Sequence, residues 1–131
     1  MGIKIIAIFM LIGNTIYSQS KEEIQTVKKY ALQKCLKENY NSIDPTFISH
    51  DYSASYIVQI KNADPNILNK INDFTIKNTS QYYKMGVAEN LDDSKANYVF
   101  WHCMNFYESK ELDNYVRKLI GVIPKKETSK K

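Results

Sequence analysis

The chain is poor in the residues that break regular structure, with four glycines and three prolines in 131 positions. None of the glycines falls in a GxGxxG or GxxxxGK[ST] pattern, which excludes a phosphate-cradling loop of either kind. Cysteine is scarce at two, there is no C-x-x-C, and His102 and Cys103 are adjacent, a spacing that fits no zinc-ligand motif. No metal or other cofactor is therefore expected. No stretch alternates apolar and polar residues long enough to argue for a strand; ASYIV at 54–58 comes nearest and fits a helix equally well. Repeats at solenoid periods are lacking too. So is a basic body. The formal charge is +4, but Lys4 belongs to the first twenty residues, and Lys125, Lys126, Lys130 and Lys131 to the last eight. Between residues 19 and 123 there are thirteen Lys/Arg and thirteen Asp/Glu. A nucleic-acid binder carries a basic stripe on its folded body, so no nucleic-acid partner is expected.

What is present begins with MGIKIIAIFMLIGNTIYSQS: one early lysine, an apolar run from Ile5 to Gly13, and small residues near Ser18. That is the layout of a secretory signal peptide. The run is too short to span a bilayer comfortably, and no cysteine follows closely to carry a lipid. Cleavage after Ser18 is expected, with Ser20 as the alternative. The domain plan is then a signal peptide at 1–18, one helical domain at 19–123 and a basic, solvated tail at 124–131. No membrane attachment is expected after cleavage. The two cysteines, Cys35 and Cys103, remain in the exported part, and an even count in an exported chain points to a disulfide.

Helical periodicity dominates the rest. Ser20-Lys21-Glu22-Glu23 has the capping-box form, and Ile24, Val27, Ala31 and Cys35 follow at spacings of three and four. This helix should end near Tyr40. Asp44-Pro45 opens a loop or short turn. A second helix is expected from about Thr46 or Asp51 to Lys61, with Tyr52, Tyr56, Ile57 and Ile60 on one side. Asp64-Pro65 starts the third, with Asp64 as N-cap and Pro65 in the first turn; Ile67, Leu68, Ile71 and Phe74 carry it on, to as far as Tyr83 or Lys84. The polar, acidic stretch 87–94 reads as the main surface loop. A helix from about Lys95 to Tyr107 comes next, carrying Val99, Phe100, Cys103 and Tyr107 on an apolar face. Ser109 then caps a last helix with the stripe Leu112, Tyr115, Val116 and Leu119, which Gly121 ends. The expected fold class is all-α: a small bundle of four to five helices with one intramolecular disulfide, Cys35–Cys103.

The adjacent His102 and Cys103 raise the question of catalysis. Residues one apart on a helix point about 100° apart, so His102 is badly placed as a base for Cys103. His50, Asp51 or Asp113 could approach from elsewhere, so a catalytic cysteine stays open beside a free buried thiol. The apolar face on which Cys103 lies favours the disulfide. Asp92-Asp93 read as solvated loop carboxylates or as part of a partner surface. Tyr30, Tyr52, Tyr56 and Tyr107 fit helix faces and are expected in the core, whereas Tyr82, Tyr83 and Tyr98 flank the acidic loop. Tyrosine is also favoured at interfaces, where it buries area and keeps a polar tip. The residues favour binding over catalysis, and no enzyme activity is expected.

The segment from Cys103 through Asp113, CMNFYESKELD, resembles the C-terminal signature of the type VI secretion amidase immunity proteins. In that family a cysteine precedes an apolar–Tyr segment, a serine and a Glu-Leu pair that opens the last helix. Tyr30 through Leu36, YALQKCL, resembles the family's first helix, with Cys35 in the matching place, and 53–56 fits more loosely. Glu108 departs from the pattern, standing where histidine would precede the serine. The resemblance implies a periplasmic, all-helical homodimer. Its partner would be a papain-like peptidoglycan amidase, blocked by occlusion with a loop and a helix face. Glu89, Asn90, Asp92 and Asp93 are then the candidate loop residues and Tyr52 and Tyr56 the candidate helix-face residues. A second class also fits the sequence: an exported helical protein binding a small apolar ligand in a cavity.

Overall fold

The computed structural model describes residues 2–41, 43–86 and 96–122, with side chains from residue 19 onward. Among them there are five α-helices and no strand: α1 (Gly2–Tyr40), α2 (Ser53–Gln59), α3 (Pro65–Thr79), α4 (Val99–Glu108) and α5 (Lys110–Leu119). A short 3-10 helix, Lys84–Gly86, follows α3. The acidic loop with Glu89, Asn90, Asp92 and Asp93, and the tail 124–131, lie outside the described residues.

Helix α1 is the axis, and α2, α3, α4 and α5 all contact it. Its apolar stripe is the one expected from spacing: Ile24, Val27, Ala31 and Cys35 are all buried. Ile24, Val27 and Ala31 meet Leu68 and Ile71 of α3, Phe106 of α4 and Leu112 and Val116 of α5 in one core. Phe74 stacks on Tyr115 with ring centroids 3.9 Å apart, which locks α3 to α5. A second, smaller cluster forms around Cys35, Val99 and Cys103. Removing residues of this size from water is worth roughly 1.5–3 kcal/mol each, so the ten-residue main core decides the fold.

Two helix starts follow the sequence closely. Asp64 accepts a hydrogen bond from Asn66 N and Pro65 sits in the first turn. Ser109 Oγ accepts from Leu112 N at 3.1 Å. Gly121 takes φ +74° just past α5, a conformation that glycine adopts without a Cβ clash.

Four expectations need correction. In the full chain α1 runs through Ser20 without a break, so the capping-box sequence does not open it. Helix α2 is shorter than expected and buries only Ile57; Tyr52, Tyr56 and Ile60 are exposed, not core. The reason is position: α2 lies at the edge against α1, and seven residues offer little more than one inward site. Helix α3 stops at Thr79 instead of Tyr83 or Lys84, because Asn39 takes over the hydrogen bonds of the next turn. Its Nδ2 donates to Thr79 O at 3.0 Å, and its Oδ1 accepts from Tyr83 N at 3.0 Å. In a continuing helix that N–H and that carbonyl would bond each other. In α4 the inward residues are Val99, Cys103 and Phe106, while Phe100 is exposed and Tyr107 half-buried.

Candidate functional site: the groove between α1 and α2

Cys35 and Cys103 form a disulfide with their Cα atoms 5.8 Å apart, joining α1 to α4. Both are fully buried. Neither sulfur is then available as a thiolate nucleophile, and His102 has no cysteine to activate. Its ring lies 5.3 Å from that of Tyr82 instead. The bond fits an oxidising compartment. Among the described residues no helix is long and apolar enough to cross a membrane, and no group of His, Cys, Asp and Glu is placed to hold a metal ion.

An open groove of about 660 Å³ lies between α1, α2 and the turn before α2. One face of α1 supplies its floor. Glu22, Thr26, Lys29, Leu32, Gln33 and Leu36 recur at helical spacing along it. Tyr52, Tyr56 and Ile57 make the opposite wall. Tyr52 is 70% exposed and Tyr56 51% exposed. The structure thus brings the two tyrosines together as a rim, and the burial that sequence periodicity assigned to them falls to Ile57 alone.

Local hydrogen bonds hold the wall in place. Asp51 Oδ1 accepts from Ser53 N at 3.1 Å and from Ser53 Oγ at 2.6 Å, which fixes the entry to α2. Beyond α2, Ala63 N donates to Ile57 O and Asn62 takes φ +51°, a left-handed conformation that asparagine tolerates. This turn presents Lys61 to Glu22 across one end of the groove, Nζ to Oε1 at 3.0 Å. The hydrogen bond that Lys61 donates to Glu22, with the charge of that carboxylate, raises the Lys61 pKa above its ordinary value. Gln25 also lines the groove, and Tyr107 OH donates to its Oε1 at 2.9 Å, tying the floor helix to α4.

Gln33 is the residue that the sequence did not flag. It is 7% exposed, it lines the groove, and its buried Oε1 has no hydrogen-bond partner among the described residues. Its only sequence signal is a glutamine four residues beyond Lys29 and three before Leu36, on the face opposite the core stripe. A second exposed apolar face lies on α4, where Phe100 is 61% and Trp101 65% exposed.

Comparisons with known protein families, with curated proteins and with solved structures find no match for this chain.

Proposed function

We propose that this chain is a periplasmic immunity protein. It binds a papain-like peptidoglycan amidase delivered by type VI secretion and blocks it sterically, protecting the producing cell from its own and its sisters' effector. The observation that carries the reading is the behaviour of the two motif segments. Cys35, in the helix that resembles the family's first, is bonded to Cys103, which opens the C-terminal signature. Ser109 in that signature caps the last helix, and Glu111-Leu112 lie in its first turn. Export and a homodimeric state belong to the same proposal.

Inhibition would be by occlusion. The acidic loop with Glu89, Asn90, Asp92 and Asp93 enters the amidase cleft, where carboxylates complement the positive charge of a cysteine–histidine pair. The groove wall with Tyr52 and Tyr56 is the second contact surface. The test is a peptidoglycan-cleavage assay with the amidase encoded beside this gene and the protein purified from the cell envelope. Stoichiometric loss of cleavage is the expected result. Undiminished cleavage, with no complex on a sizing column, would remove the reading.

The groove itself favours one competing function, an exported carrier for a small apolar ligand. Its volume lies within the roughly 300–1,000 Å³ of small-molecule sites. Native mass spectrometry distinguishes this reading, since a carrier would retain a bound apolar molecule on purification.

A further inference from the structure

We infer that Gln19 is a modification site: export leaves it as the first residue, and its side chain closes on its own α-amine to a pyroglutamyl ring that seals the start of α1. The inference rests on the export part of the reading above and does not depend on the amidase.

The chemistry needs only what the cut supplies. Hydrolysis of the Ser18–Gln19 bond leaves a carboxylate on Ser18 and an amine on Gln19. The amine nitrogen bonds to Cδ of the same residue, and the Cδ–Nε2 bond breaks. The side-chain nitrogen leaves as ammonium, carrying the protons that the amine gives up. Nothing is oxidised or reduced, and no co-reactant is consumed. The product is a lactam, so the positive charge of the new terminus is gone. Gln19 is exposed, so the fold leaves room for ring closure.

The burial pattern shows what the ring protects. Gln19, Lys21, Glu22 and Glu23 are exposed and Ser20 is half-buried, and the core begins only at Ile24. Glu22 ties this turn to the body through Lys61. The cut also removes helix partners. In the full chain α1 runs unbroken across residues 16–23, where each N–H meets a carbonyl four residues back. Without residues 16–18 the N–H groups of Ser20, Lys21 and Glu22 lose theirs. Ser20 then stands at the N-cap with Glu23 at N3, and the capping box acts in the exported chain alone. A free ammonium next to it adds positive charge at the positive end of the helix, whereas a lactam adds none. An unpacked terminal turn is also where proteolysis begins, and aminopeptidases grip a free α-amine. Trimming to Ile24 would remove Glu22, and with it the bridge to Lys61 at one end of the groove.

The experiment purifies the protein from the cell envelope, quickly and in the cold, and reads its intact mass and N-terminus. The expected species begins at residue 19 and is one ammonia lighter than the unmodified chain. It yields no N-terminal sequence until pyroglutamyl aminopeptidase removes the ring. Gln19→Asn keeps an amide but is one methylene short of an unstrained lactam, so its product should keep a free amine. Given a general aminopeptidase, the variant should be trimmed through Glu23 and stop at Ile24, while wild type stays whole. A chain that begins at residue 19 with a free amine overturns the inference, and so does one that begins elsewhere, at Lys21 for instance; either leaves export standing. An uncut chain from Met1 removes both. A ring that forms only after purification is a product of handling and overturns the inference. Wild type trimmed as readily as the variant does so too.

Discussion

Asn39 bonds three backbone groups: its Nδ2 reaches Cys35 O at 2.9 Å and Thr79 O at 3.0 Å, and its Oδ1 meets Tyr83 N. It is almost fully buried. Asn39→Ala would strand the Tyr83 N–H and weaken the pairing of two carbonyls, so a loss of about 1–3 kcal/mol is expected in urea denaturation. A loss below about 0.5 kcal/mol would mean that water replaces the amide without penalty. Asp113 gives a pH signature. Burial pushes its carboxyl up, but the hydrogen bond and charge of Arg117, with Lys28 behind, outweigh burial and hold the pKa below its ordinary 3.8. A depressed carboxylate contributes stability that is fully present above the unfolded value and lost as pH falls through the folded one. Asp113→Asn should therefore flatten the fall in melting temperature below pH 3.8 and leave the slope above it unchanged. A wild-type acid limb in the variant would assign that limb to other carboxylates. Neither residue was legible beforehand. Asn39 lies four residues past Cys35 on the inward stripe, where a polar residue reads as a helix end. The partners of Asp113 lie on α1 and on its own helix, and only the second is a sequence-local fact.

At the scale of elements, helix starts were legible because they are local chemistry. Asp64 before Pro65, and Ser109 before Lys110-Glu111-Leu112, each satisfy orphan N–H groups within three residues of themselves. Asp64→Ala and Ser109→Ala should each cost about 1 kcal/mol. They should do so additively, since they cap different helices. The check is a denaturation series of both single variants and the double. Strong coupling between them would show that α3 and α5 form as one unit through the Phe74–Tyr115 stack. Helix α2 was misread for the opposite reason. Its apolar and aromatic residues have helical spacing, but burial depends on what lies opposite, and α2 packs chiefly on α1. The same short edge helix makes the groove. The tyrosines that failed as core residues are the ones that line the candidate site, and the expectation that they could meet a partner rested on their chemistry, not on their periodicity.

For the whole molecule, the important fact is where the disulfide sits. The main core of ten buried residues joins α1 to α2, α3, α5 and Phe106 near the end of α4, whereas the cluster that holds the start of α4 has three, two of which are the cysteines. The bond closes a sequence separation of 68, and the chain-entropy account gives roughly 4 kcal/mol for a loop of that size. That pairing was legible from the expected export and the cysteine count; its placement at the thin end of the core was not, because it depends on how α4 crosses α1. Reduction should therefore act unevenly. Amide hydrogen exchange on reduced protein should open first around Val99 and Cys103, ahead of Ile71 and Val116, while the global denaturation midpoint falls. Local opening of this kind marks a region with few apolar contacts of its own. It would also loosen the segment before α4, which carries the proposed inhibitory loop, so reduced protein should lose amidase inhibition before it loses its helical signal. Uniform exchange across all helices on reduction would instead mean that the molecule opens as one cooperative unit. In that case the disulfide stabilises the whole fold and not the placement of the loop.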